Sequence, residues 1–205
     1  MVLRTAQLER KSKETEISVR LNIDGGGKAT INTQIGILDH MLELFAFHGI
    51  FDLEVNVKKA DTNIDIHHVN EDIGIVLGKA FRKALGEGKE GIKRFGSACA
   101  PMEDTLSQFV IDISGRGSLT LDVPPEIKLK PPGSQEGYTL NYMEHFLEAF
   151  AKNLGANINH RMTDLSDDLH TNLETVFKSF GIALDQATQI DPRRKGVPST
   201  KGIIH

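Results

Sequence analysis

Apolar and polar residues alternate along residues 14–24 and again along 28–35, with Gly25-Gly26-Gly27 between them. A period of two predicts half-buried strands, and the glycines predict a turn joining them. ILDHMLELFAFHG (37–49) reads as a helix closed by Gly49, and FDLEVNVKK (51–59) as a strand. Ile73, Val76, Leu77, Ala80, Phe81 and Ala84 then recur at helical spacing, which predicts a second, amphipathic helix. The order returns in the second half. Residues 106–115 and 118–123 read as strands, 124–137 as a Pro/Gly-rich loop, 141–155 as a helix and 156–162 as a short strand. A last helix starts near LHTNLE and carries the stripe Val176, Phe177, Phe180, Leu184 and Ala187.

The two final helices can be laid together by matching His67 to His170. Glu71 then falls on Glu174, Ile73 on Val176, Leu77 on Phe180, Phe81 on Leu184 and Ala84 on Ala187. This register predicts a tandem duplication and an α+β fold, each half a small β-sheet with two helices packed on one face. The expected boundaries are 1–93 for the first half-domain, 94–190 for the second, and 191–205 for a tail without periodicity. Such a tail is either disordered or recruited to a site.

The 205 residues suit one moderate domain or two small packed halves. At 39% hydrophobic and 25% charged, the composition is that of a soluble protein with a proper core. A net charge of -4 argues against a nucleic-acid partner, because phosphate backbones favour a basic face. No apolar run reaches the length of a membrane span, and the charged N-terminus has no signal-peptide core. Cys99 stands alone, so no intrachain disulfide can form. These features lead us to expect a cytoplasmic protein.

The chemistry concentrates in DIHHVNED (65–72). His67 and Glu71 stand four apart and share one helix face, and His170 and Glu174 repeat the spacing. Imidazole nitrogen with carboxylate oxygen suits manganese, iron or zinc. A single HxxxE pair is ordinarily just a solvated polar face. Two pairs at matching places in a repeat, with His40 and His160 also available, point to metal. His68 projects about 100° round the helix from His67, so it suits a second metal or a neighbouring subunit's. Arg94, Arg116, Lys178, Arg193, Arg194 and Lys201 can together hold a phosphate, with Ser199 adding a hydrogen bond. Taken singly, each is an ordinary surface charge.

The blocks RKSKETEI (10–17), GILDHMLELFAFHG (36–49), DIHHVNEDIGI (65–75), KRFGSACAPMED (93–104), DISGRGSL (112–119), LETVFKSFGIAL (173–184) and DPRRKGVPSTKG (191–202) resemble, in this order, the imidazoleglycerol-phosphate dehydratase family of histidine biosynthesis. The resemblance implies a metal-dependent hydro-lyase acting on a phosphorylated imidazole. It also implies an assembly of twenty-four subunits, with two Mn(2+) ions per intersubunit active site. By match, His40, His67, His68, Glu71, His160, His170 and Glu174 become metal ligands and Glu14 the catalytic base. Arg94, Arg116, Lys178, Ser199 and Lys201 become the residues that bind the substrate phosphate. The second motif departs from the family's HHxxE, since Thr171 stands where its second histidine is expected. The departure thins one metal site and leaves open a second reading, a weakened homologue that keeps assembly and ligand binding. The expected pairing is His170 and Glu174 with His68 and His160 on one metal, and His67, Glu71 and His40 on the other. His145 reads as a stray surface histidine or a partial compensation.

Overall fold

The computed structural model describes residues 3–87, 89–123, 133–163 and 165–204. The first half runs β1 (Thr5–Lys11), β2 (Glu16–Asn22), β3 (Ala29–Asn32), α1 (Gly36–Gly49), β4 (Asp52–Lys59), α2 (His67–Leu85). The second runs β5 (Phe95–Met102), β6 (Thr105–Asp112), β7 (Ser118–Asp122), α3 (Leu140–Leu154), β8 (Asn157–Met162), α4 (Leu169–Thr188). The two sheets have equivalent strand orders, β1-β2-β4-β3 and β5-β6-β8-β7. In each, the third strand of the half pairs parallel to the fourth and the remaining pairs are antiparallel. The fold is α+β and internally duplicated. Residues 124–132, most of the expected Pro/Gly-rich loop, lie outside the described residues.

Two strands, β1 and β5, have no counterpart in the apolar alternation. Both are sheet edges. β1 buries only Ala6, and β5 buries only Gly96 and Ala100. An edge strand needs few apolar side chains, because its backbone ladder and its neighbour hold it.

The central strands carry the core. Ile17, Val19 and Leu21 on β2, and Leu53, Val55 and Val57 on β4, turn towards the helices. Phe109 and Ile111 on β6 do the same in the second half. Each such side chain contributes about 1.5–3 kcal/mol when fully buried. The helices of both halves lie between the sheets, and they pack crosswise: α1 against α4, and α2 against α3. Phe45, Phe81, Phe150 and Phe180, one from each helix, meet near the centre with centroid separations of 4.7–6.0 Å.

Glycine makes the crosswise packing close. A Cβ on Gly181 would stand 2.5 Å from the Phe45 carbonyl oxygen, and one on Gly78 would stand 2.6 Å from that of Phe150. The two contacts are equivalent under the duplication. MEHFLEAFA (143–151) repeats LDHMLELFA (38–46), and both helices end on a left-handed residue, Ile50 or Gly155. His145 is therefore the counterpart of His40.

Among its described residues the tail forms no helix or strand, yet it is held. Asp191 N–H donates to Gly91 O, Gly91 N–H to Gly196 O, and the Arg94 guanidinium to Pro198 O at 3.0 Å.

Candidate metal and substrate site

The crossing helices bring the candidate ligands into two clusters. At the start of α4, His170 Nε2 lies 2.9 Å from Glu174 Oε1. His40, from the facing helix α1, reaches the same oxygen with its own Nε2 at 3.3 Å. The two imidazoles stack at 5.2 Å. One donor atom from each of the three residues falls within 4.8 Å of the others. A carboxylate oxygen only accepts, so both imidazoles point an N–H at one spot. Exchanging those protons for one cation leaves the side chains where they are, and the donor set fits a divalent transition metal. Burial opposes ionisation of Glu174, but Lys178 Nζ, with His40 and His170, outweighs it and draws the carboxyl down to about 2.

The mirror cluster stands at the start of α2. His67 Nε2 lies 3.4 Å from Glu71 Oε2, and His67 Nδ1 lies 3.1 Å from Nδ1 of His145 on the facing α3. Thus the structure brings His40 to His170 and Glu174 at one shared oxygen, whereas His145 reaches His67 at the ring nitrogen that does not face Glu71. Within one chain this differs from the expected pairing, because each first-turn histidine faces the other half's helix, not its own. The repeat LDHMLELFA/MEHFLEAFA carried the signal for His145. Aligning only the final helices passes over it.

His160 lies apart from both clusters. It occupies the β8 position equivalent to Val55 and is 1% exposed. Its Nε2 shares a 2.9 Å hydrogen bond with Ser107 Oγ, its ring stacks on Phe109 at 4.5 Å, and Nδ1 has no partner among the described residues. Burial pushes its pKa down to about 3.

His68 belongs to a third grouping. Its Nδ1 donates to Asp61 Oδ2 at 3.0 Å, and Glu14, Asp61 and His68 bring donor atoms within 4.8 Å of one another. The hydrogen bond to Asp61 raises the His68 pKa, against partial desolvation. Glu14 is presented by the β1–β2 turn. Ser12 Oγ accepts from the Glu14 and Thr15 N–H groups at 3.1 and 3.0 Å, a local turn that leaves the carboxylate exposed. Thr171, the His68 equivalent, turns to its own helix cap: its Oγ1 donates to Asp168 Oδ2 at 2.9 Å. That bond, with the His170 and Thr171 N–H groups, holds the Asp168 carboxyl below the usual range. Asp65, at the equivalent place before α2, accepts from the His67 N–H at 2.8 Å.

The basic residues do not all meet. Lys178 sits on Glu174, with Met102 Sδ at 3.8 Å. Arg94 grips both oxygens of Asp112, at 2.6 and 3.0 Å, and holds the tail one residue before Ser199. Ser199 Oγ accepts from the exposed Lys201 N–H. Arg116 is exposed between β6 and β7, and its side chain makes no hydrogen bond or ion pair among the described residues. Arg193 is held by Asp191. No described helix is long and apolar enough to cross a membrane.

A family model for imidazoleglycerol-phosphate dehydratase matches residues 33–184. The chain is 48% identical over 202 residues to the imidazoleglycerol-phosphate dehydratase of Geobacter metallireducens, covering 98% of this chain and 99% of that one. It is 45% identical over 203 residues to that of Bacillus subtilis, covering 98% and 100%. Among solved structures, the Pyrococcus furiosus protein in complex with (S)-C348 aligns with TM-score 0.79 and 35% identity over 96% of this chain and 99% of that one. The Staphylococcus aureus protein aligns with TM-score 0.77 and 29% identity over 91% and 99%. The chain belongs to the imidazoleglycerol-phosphate dehydratase family, hydro-lyases of histidine biosynthesis.

Proposed function

We propose that this chain dehydrates imidazoleglycerol phosphate to imidazole acetol phosphate with two Mn(2+) ions, one at the start of each motif helix. His40, His170 and Glu174 would hold one, and His67, Glu71 and His145 the other. The observation that carries this reading is the convergence of His40, His170 and Glu174 within 4.8 Å, with the same residue types, His145, His67 and Glu71, in successive contact at the equivalent positions of the other half. A lone trio is common on protein surfaces. Its return at equivalent positions of a duplicated fold, in this family, is not. Three donors leave coordination positions open, and His68 is an imidazole not yet assigned to a trio. Both facts support active sites completed between subunits, as in the expected assembly of twenty-four. We place the enzyme in the cytoplasm, consistent with a single cysteine.

The bound metals would supply Lewis acidity toward the ring nitrogens, making an imidazole N–H far easier to ionise. The protein's own groups do the rest. Glu14, exposed beside His68, is the base that removes the proton from the side-chain carbon next to the one losing hydroxide, giving an enol that becomes the ketone. Arg94 and the tail residues Ser199 and Lys201, tied together through Pro198 O, bind the phosphate with Arg116 and Lys178. Holding the unreactive end positions the ring against Glu14.

Thr171 favours a second reading, since its hydroxyl is committed to Asp168 and one motif offers a donor fewer. On that reading the chain keeps assembly and ligand binding but turns over weakly. Turnover of imidazoleglycerol phosphate by metal-free protein, with and without added Mn(2+), separates the two. Calorimetry adds the residue test: His145→Ala should weaken one of two Mn(2+) steps at least tenfold, while His160→Val leaves both. Reversal of those two results would remove the crosswise trios.

A further inference from the structure

Asp61 is a partly buried carboxylate with one side-chain partner among the described residues. It opens the loop between β4 and α2, where its carbonyl accepts from the Ile64 N–H at 2.8 Å and closes a turn. That backbone bond is available to any residue. The side chain is 15% exposed, yet of its two oxygens only Oδ2 has a partner, the His68 ring at 3.0 Å. Oδ1 is buried without a hydrogen bond among the described residues. Burying a carboxylate with one oxygen unsatisfied costs stability.

The internal duplication supplies a comparison. In the second half the loop leading to α4 is one residue shorter, and the His68 position is Thr171. Thr171 donates to Asp168, the residue just before its own helix. Both halves have an aspartate that accepts from the N–H two residues on, Asp65 from His67 and Asp168 from His170. What the described residues of the first half show in addition is an imidazole at this position, bonded to a carboxylate of the preceding loop.

We infer that Asp61 is a positioning residue for His68. A carboxylate accepts only, so the bond to Oδ2 keeps the proton on Nδ1 and fixes the ring plane. In the neutral ring Nε2 then carries the lone pair. A metal ligand needs that tautomer, and a carboxylate behind the ring also makes the opposite nitrogen more basic. This rests on the proposed use of His68 as a ligand, on the same side of the molecule as Glu14.

The test is calorimetric titration of Mn(2+) into the metal-free full chain, with the thermal midpoint of the metal-free protein measured alongside. Asp61→Ala should weaken one Mn(2+) step by about 10–100-fold and leave the other within twofold. Asp61→Asn, which keeps the shape and a neutral acceptor, should weaken the same step by about tenfold, and it carries the test alone if the alanine variant fails to fold. His68→Ala should weaken that step too. If His68→Ala weakens it and Asp61→Asn changes nothing, the positioning role is overturned while His68 stays a ligand. If His68→Ala leaves both steps unchanged, the reading of His68 itself falls. A lowered thermal midpoint with unchanged Mn(2+) binding would make Asp61 a structural residue only.

Discussion

His160 should make the fold sensitive to acid, and removing it should relieve that sensitivity. Its ring lies between Ser107, Phe109 and the helix layer, with no ionised group among its partners. Burial alone lowers its pKa from 6.5 to about 3. In the unfolded chain the imidazole regains the ordinary value. Between pH 3 and 6.5, therefore, the unfolded state binds the extra proton and the folded state does not. The contribution is fully present above pH 6.5 and falls as pH drops through that value. By linkage the loss reaches about 1.4 kcal/mol at pH 5.5 and about 2.7 kcal/mol at pH 4.5. Valine is the test residue, because Val55 fills the equivalent place in the first half. Ser107 would keep its 2.9 Å contact with Ser179, and Ser179 its bond to Thr175 O at 2.7 Å. Denaturant midpoints of metal-free parent and His160→Val, measured from pH 7.5 to 4.5, should diverge below pH 6.5 with the parent falling faster. Parallel curves would mean that His160 titrates normally in the folded chain, and the burial argument would be wrong.

Much of this fold is legible in the chain because periodicity reports burial. The alternation on β2, β4 and β6 and the stripes on α2 and α4 mark residues that face the helix layer. The edges β1 and β5 are invisible to that signal, since what holds them is backbone pairing and not side-chain burial. The second-half histidine was harder for another reason. HxxxE within one helix is a local pattern, whereas His145 reaches His67 only because α3 crosses α2. His160 looks like a ligand by its distance from His170 in sequence, but alternation on β8 turns it inward beneath Phe109. Asp61 has no pattern at all: a loop carboxylate gains its meaning from the ring that folding brings to it. Glu14 is intermediate, since its turn follows from Ser12 but its neighbours His68 and Asp61 come from a helix and a loop distant in sequence.

Gly181→Ala should destabilise by about 1–3 kcal/mol, because its Cβ would meet the Phe45 carbonyl backbone at 2.5 Å; an unchanged thermal midpoint would show that α1 and α4 can separate freely. Glu14→Gln should remove turnover while both Mn(2+) steps persist by calorimetry, and a residual rate near the parent's would take Glu14 out of the proton transfer. Arg94→Lys probes the link between the tail and the second half. The guanidinium makes three bonds at once, two to Asp112 and one to Pro198 O, with N–H groups left over for an anion. An ammonium is a point charge without that fork, so lysine can keep the ion pair with Asp112 or reach the tail, but not both in this geometry. The expected result is a raised KM with a much smaller change in kcat, together with faster proteolysis after residue 190. The substrate anchor and the tail clasp are one side chain in this reasoning, so the two effects must appear together. A raised KM with a tail that is cut no faster would mean that Arg94 meets the phosphate without holding the tail, and the coupling would be lost.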